Sequence, residues 1–278
     1  MYTSFDPFYW LVFDPIALCV HGQHVAESLP VHPRLYNEFN KMLPIVYKHI
    51  MATPGGFDGN CAALVHWEYT AAVDSRPAQL RIVTGYRAYT QGHTLKHVLV
   101  ENANLDYPNA LLPIQPTPKQ QPIASLSWGS SLTTVVLLPN NSVLMGQRSA
   151  YMQTNPSQWC CLFTEALEPS DVRPLSMDNL LNRLAHEELA NLGTIGPHRF
   201  VGLVLLPMSY TWTLVSVLDL RAVPSILLNN ALAALRPNDE TQAWSALSLS
   251  PPAERDRSDA ATILGFSLAR DIAQRLPQ

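Results

Sequence analysis

Apolar and polar positions along this chain follow two periods, and each marks a set of elements. Between residues 32 and 51, Leu35, Phe39, Leu43, Val46, Tyr47 and Ile50 recur at helical spacing and predict an amphipathic helix, broken or kinked near Pro44. Leu181, Leu184, Ala185, Leu189 and Leu192 predict a second helix over 179–192, with Arg183 and Glu187 on its opposite edge. Ser176 or Asp178 offers a cap to that helix and Gly193 a stop. Shorter helical patterns cover 225–235 and 260–276, and the charged, proline-bearing stretch 251–259 between them reads as exposed.

The period of two, or a continuous apolar run, predicts strands elsewhere. Residues 8–20 read as two strands about the Asp14-Pro15 turn, and 62–73 with 79–83 as a hairpin about Asp74-Ser75-Arg76-Pro77. Leu132–Leu138 and Val143–Ser149 form a second hairpin, and 200–207 and 211–223 suit two central strands. Five prolines and a glutamine pair between Pro108 and Pro122 resist helix and sheet alike, which makes that stretch a linker. The division is an N-terminal β-rich domain with its linker over 1–122 and a second domain over 123–278. The fold class is α/β (α+β).

Composition narrows the partners. A chain of 278 residues with 47% hydrophobic and 14% charged residues buries a substantial core. The formal net charge of −4, with no lysine-rich or arginine-rich run, supplies no electrostatic footprint for nucleic acid. The apolar start, Phe8–Phe13, is too short for a membrane span and poorly formed as a signal peptide. Four cysteines make neither a CxxC pair nor a disulfide framework, so a reduced, cytoplasmic setting is the simplest. His21 and His24 lack a third ligand nearby and read as loop residues.

The chemistry concentrates between Trp159 and Gly193, around Arg183-Leu-Ala-His-Glu187-Glu188. Adjacent glutamates on a helix a turn after an arginine can gather a divalent metal around a pyrophosphate, although by itself such a pair is a common solvated face. The surroundings lift it above that. Trp159 precedes the stretch, Glu168-Pro-Ser-Asp171 leads into it, and the 132–149 hairpin with Gly146-Gln-Arg148 stands upstream. Together these resemble the Nudix hydrolases, whose glycine- and acid-bearing loop leads into a helix reading Arg-Glu-U-x-Glu-Glu-x-Gly, where U is aliphatic. The pattern departs from the family's at several points. Phe163 and Thr164 replace loop glycines, Leu184 stands at the usual catalytic base, Ala190 takes the closing glycine position, and loop and helix are further apart. Thr84-Gly-Tyr-Arg-Ala-Tyr-Thr-Gln-Gly, from Thr84 to Gly92, is similar to an N-terminal stretch of the branch that hydrolyses UDP-sugars.

The resemblance implies a mixed sheet sandwiched between helices over 123–278, with the N-terminal β-rich part as an extension. It implies a metal-dependent hydrolase of a nucleoside diphosphate linked to another moiety such as a sugar, working with a non-standard base. Two alternatives stay open: a Nudix-fold protein that binds such a ligand without turnover, and a scaffold turned to different chemistry. The catalytic set it points to is Arg183, Glu187, Glu188, Glu168 and His186. Magnesium or manganese would sit on Glu187, Glu188 and Glu240, the last preceding Trp244 in a late strand. The substrate would meet Arg87, Tyr86 and Arg148; Arg87 between tyrosines can hold a phosphate, or equally dock the two halves together. The expected partner is a small molecule rather than nucleic acid or membrane, and a homodimer is left open.

Overall fold

The chain in this computed structural model is described at residues 4–5, 8–13, 18–53, 58–101, 121–150, 157, 159–160, 163–172, 177–187, 189, 192, 194–206, 210–237, 241–249, 270 and 272–274. The linker prolines before Gln121, Ser176, Glu188, Ala190, Gly193, Glu240 and residues 251–259 lie outside that set. So does most of the terminal helix expected over 260–276, where Arg270 and 272–274 are helical.

Strands β1 (Ser4–Phe5), β2 (Phe8–Phe13) and β3 (Leu18–Ser28) open the chain. Helix α1 (Tyr36–Ala52) follows a turn of 3-10 helix and runs on through Pro44. It buries Phe39 and Ile50 and leaves its polar side to solvent, as the spacing predicts. Strands β4 (Asn60–Thr70) and β5 (Ala78–Ala88) form the expected antiparallel hairpin. Asp74 takes a left-handed backbone at the turn, a conformation that aspartate tolerates better than most residues. In β5, Ala78, Leu80, Ile82 and Thr84 are buried while Gln79 and Arg81 are exposed, a clean two-residue period. The parallel partner of β5 is β3, which completes a three-stranded sheet and carries His21 and His24 on a strand rather than in a loop. Helix α2 (Tyr89–Glu101) continues directly from β5.

The second half supplies β6 (Ser130–Leu138), β7 (Ser142–Arg148), β8 (Trp159–Cys160), β9 (Phe163–Ala166), α3 (Asp178–Glu187), β10 (His198–Leu206), β11 (Thr211–Asp219), α4 (Ser225–Ala234) and β12 (Thr241–Ser248). Nine strands form one mixed sheet in the order β1-β2-β10-β11-β6-β7-β12, with β9 on β6 and β8 on β7. The β6–β11 pair is parallel and the other pairs in that sheet are antiparallel. The protein is therefore a mixed α/β fold with two open sheets.

The large sheet draws strands from both sides of residue 122, since β2 pairs with β10 on its edge. Pairing between segments nearly two hundred residues apart is decided by tertiary packing and leaves no local mark. One expectation needs correction: α3 stops at Glu187, short of 192. The Leu189 amide donates to the Leu184 carbonyl at 3.1 Å, five residues back, which closes a helix rather than extending it, and Leu192 then bonds to Leu189. Leu189 and Leu192 are nonetheless fully buried, so the apolar spacing marked the core face correctly while the backbone left the helix.

One hydrophobic core joins both sheets. It takes Leu64, Leu80 and Ile82 from the small sheet, Leu132, Leu144, Phe163 and Leu214 from one face of the large sheet, and Leu180, Leu184 and Leu228 from α3 and α4. The opposite face of the large sheet, with Val135, Val143, Val215 and Val217, packs on Leu249 and Ile272. Polar bonds stitch the halves as well. Ala62 donates to the Leu167 carbonyl at 2.8 Å and Leu64 donates to Ser130 Oγ at 3.0 Å.

Candidate functional site

The site is assembled where β9 hands over to α3. β9 is pinned to β6 through Ser131–Ala166 to Thr134–Phe163, and the Leu167 amide continues that ladder onto the Ser130 carbonyl at 2.9 Å. The loop that follows is shaped by its own acid. Asp171 Oδ2 accepts from the Glu168 amide at 2.7 Å while the Asp171 amide donates back to the Glu168 carbonyl at 3.0 Å, so Glu168-Pro-Ser-Asp171 closes as a turn.

Arg183 ties that turn to the helix. Its Nη1 donates to Asp171 Oδ1 at 2.7 Å and lies 3.6 Å from Glu168 Oε2; its Nη2 donates to the Ala166 carbonyl at 2.8 Å and reaches Glu165 Oε1 at 3.5 Å. The Asp171 side chain is fully buried and that of Arg183 24% exposed. Burial works against the Arg183 charge, but the bond and charge of Asp171, with Glu168 and Glu165, outweigh it and raise the guanidinium above its ordinary value. Three carboxylates face this one cation.

Beside the tie lies an open groove of about 470 Å³, lined by Glu168, Ser170, Asp171, Asn179, Asn182, Arg183, His186 and Glu187. Asn179, Asn182, Arg183 and His186 share one face of α3 by their spacing of three and four. His186 and Glu187 are exposed, and the Glu168 side chain is 49% exposed. Leu184 is fully buried in the core, so the helix presents a hydrocarbon inward where the resembled motif carries its base.

Of the residues expected to act together, the structure brings Arg183, Glu187, Glu168 and His186 to this groove; Glu188 and Glu240 lie outside the described residues. Among the described residues, no group of three histidine, cysteine, aspartate or glutamate side chains is arranged to hold a metal. Trp159 sits on β8, partly exposed, opposite Gln147. No protein-family model matches the chain, and no curated protein matches it significantly.

Tyr86 and Arg87 stand apart from the groove, on the small sheet. Arg87 is fully buried and donates from Nε to the Ser127 carbonyl and from Nη2 to the Pro30 carbonyl, both at 3.1 Å. Burial pushes its pKa down to about 10. This geometry serves docking, because Ser127 belongs to the chain beyond the linker. Tyr86 packs obliquely on His24 at 6.3 Å. Arg148 ends β7 opposite Thr241, and strand alternation puts it on the face that carries Leu144, the side on which α3 packs.

The sequence reading passed over Asn179 and Asn182, which the i, i+3, i+4 stripe ending at His186 would have revealed. No helix among the described residues is long and apolar enough to cross a membrane.

Proposed function

We propose that the groove beside Arg183 binds and hydrolyses a nucleoside diphosphate linked to another moiety, such as a nucleotide-sugar, with the help of magnesium or manganese, on a Nudix-like scaffold. The observation that carries this reading is the tie of Arg183 to Glu165, Glu168 and Asp171, which gathers loop and helix acids at one groove.

The donor set suits a hard cation. Glu187 and Glu168 present exposed carboxylate oxygens on the groove wall, and magnesium takes oxygen ligands while keeping several waters, so two carboxylates with solvent meet its needs. Bound there, the metal supplies the positive charge that offsets the diphosphate. The tie also narrows the search for a base. Asp171 has both oxygens engaged and is buried, and Glu165 faces Arg183, so neither meets an incoming water. His186 remains, exposed on the groove wall. We assign it the proton of the attacking water, and we assign Asn179 and Asn182 hydrogen bonds to the ligand.

The buried Leu184 favours a second reading, a protein that binds the same ligand without turning it over. One experiment separates the two. The full-length chain is titrated with magnesium against nucleotide-sugars and dinucleotides, and the products are analysed for phosphate monoesters. Hydrolysis yields two monoesters per turnover in a magnesium-dependent manner, and His186→Gln slows it by about a hundredfold to ten-thousandfold. Magnesium-dependent binding without products leaves the second reading; neither binding nor products refutes both.

A further inference from the structure

Helix α1 has two faces of different character, and the groove uses neither. On the inner one Phe39 and Ile50 are buried and the helix packs on α2. The outer one carries Tyr36, Ile45, Tyr47 and Met51, which are 47–60% exposed. They make up four of the nine large apolar side chains that stay exposed among the described residues. Apolar residues scattered singly over a surface are ordinary, but four on one helix of 17 residues form a patch. Tyr36, Asn40, Tyr47 and Met51 follow one another at spacings of four, seven and four, so they make a row along the helix about 22 Å long.

Charge on this face is one-sided. Residues 34–52 carry three cations, Arg34, Lys41 and Lys48, and one acid, Glu38, in a chain whose formal net charge is −4. All three cations are exposed, and among the described residues none is ion-paired, whereas Arg81, Arg183, Arg199 and Arg221 each face a carboxylate. Lys41 and Lys48 stand two turns apart, each three or four residues from Pro44 and from Ile45. The two lysines therefore lie between the tyrosine row and Ile45, inside the apolar surface and not at its margin.

We propose that this face of α1 docks an acidic amphipathic helix of a partner protein, whatever the groove at Arg183 does. A row repeating at helical spacing is a surface on which a second helix interdigitates its own side chains, and lysines beside it select carboxylates on the helix they meet. Tyrosine and methionine supply the buried contact, while the ammoniums set the sign and orientation of the partner. Other occupants fit this pattern less well. A bilayer would draw Lys41 and Lys48 toward hydrocarbon along with Ile45 and Tyr47, whereas helices that lie in a membrane surface keep their lysines on the polar side. Nucleic acid would use the cations and leave the apolar row in water. A second copy of this chain would bring three cations from each side together, with Glu38 alone to offset them. One helix face is smaller than the roughly 800 Å² per partner of a standard interface, so the association is transient.

The full-length chain is titrated into a fluorescein-labelled peptide of repeated Leu-Glu-Glu-Leu-Leu-Glu-Glu heptads, and anisotropy reads the affinity. The controls are a shuffled peptide of the same composition without the apolar stripe, and the same heptads with lysine at each glutamate. Wild type should bind the acidic peptide in the micromolar range, about tenfold or more tighter than either control, and more weakly as salt rises. Lys41→Glu/Lys48→Glu should lose about tenfold or more for the acidic peptide and bind the lysine peptide instead. Tyr47→Ala/Met51→Ala should lose about tenfold while keeping the salt dependence. All four positions are exposed, so each variant should melt close to wild type, which establishes that it is folded. No binding of the acidic peptide to wild type overturns the proposal, as does equal binding by the charge-reversed variant or of the shuffled peptide. Wild type that sediments with phosphatidylserine vesicles, where the charge-reversed variant does not, overturns it in favour of a lipid surface. A wild-type dimer that Tyr47→Ala/Met51→Ala dissociates overturns it in favour of a contact between copies.

Discussion

Replacing Asp171 by asparagine removes one charge from the tie on Arg183 while keeping its shape. The Asp171–Arg183 bond is 2.7 Å long and its carboxylate is fully buried, which puts it among charge-assisted hydrogen bonds worth about 1.5–3 kcal/mol. Asparagine still accepts from the Glu168 amide, and Glu165 and Glu168 still face the guanidinium, so Asp171→Asn should cost about 2 kcal/mol. Asp171→Ala also orphans the Glu168 amide and should cost roughly 3–4 kcal/mol. Arg183→Met leaves the buried Asp171 without its cation, at about 3–5 kcal/mol. Because both changes break one interaction, the double variant Asp171→Asn/Arg183→Met should fall short of their sum by about 1–3 kcal/mol. Urea unfolding followed by tryptophan fluorescence reads these values as midpoint shifts at constant slope. An Asp171→Asn midpoint within about 0.5 kcal/mol of wild type, with an additive cycle, would show that loop and helix are held by packing and not by Arg183.

Three further outcomes follow from burial. His198 sits against the hydroxyls of Thr134 and Ser216, and burial pushes its pKa down to about 4. With an unfolded value near 6.5, stability is full above pH 6.5, falls as the unfolded chain takes up the proton, and levels off below pH 4, a loss of about 3 kcal/mol. His198→Asn should flatten that part of the pH profile in urea titrations, and an unchanged slope would exclude His198 as its source. Leu184→Glu places a carboxylate at a fully buried position and should cost about 3–5 kcal/mol with no gain in hydrolysis; a stable, faster variant would mean that the helix face can turn toward the groove. Arg87→Met should lower stability by roughly 2–3 kcal/mol by orphaning the Ser127 and Pro30 carbonyls, while leaving ligand affinity at the groove unchanged. Calorimetric titration alongside thermal melting checks both halves of that statement.

Where periodicity is local, the sequence was a good guide. Leu132–Leu138 against Val143–Arg148, the alternation in β5 and the apolar face of α1 each follow from neighbouring residues, and each is present. Pairings over long separations were not legible, because β2 on β10 and β3 on β5 depend on which strand edges meet once distant segments pack together. The same limit applies to the site. Arg183, His186 and Glu187 read as one group because one helix carries them, and Glu168 because its loop stands next to that helix in the chain; all four line the same groove. Arg87 read as a phosphate ligand or a docking residue with equal weight, and only its contact with Ser127 distinguishes the two. The contact of Lys96 with an indole gave no signal at all: it forms only once Gly92 seats α2 on Trp128.

Manganese binding to the full-length chain, followed by electron paramagnetic resonance, tests the role of the groove most directly. Wild type should take up manganese, and nucleotide-sugar binding should follow its occupancy. The double variant Glu168→Gln/Glu187→Gln should melt close to wild type, since both side chains are exposed and exposed-face substitutions change stability by only about 0.5 kcal/mol, and should lose manganese affinity about tenfold or more. Manganese affinity unchanged in a folded double variant would contradict a metal-binding groove beside Arg183.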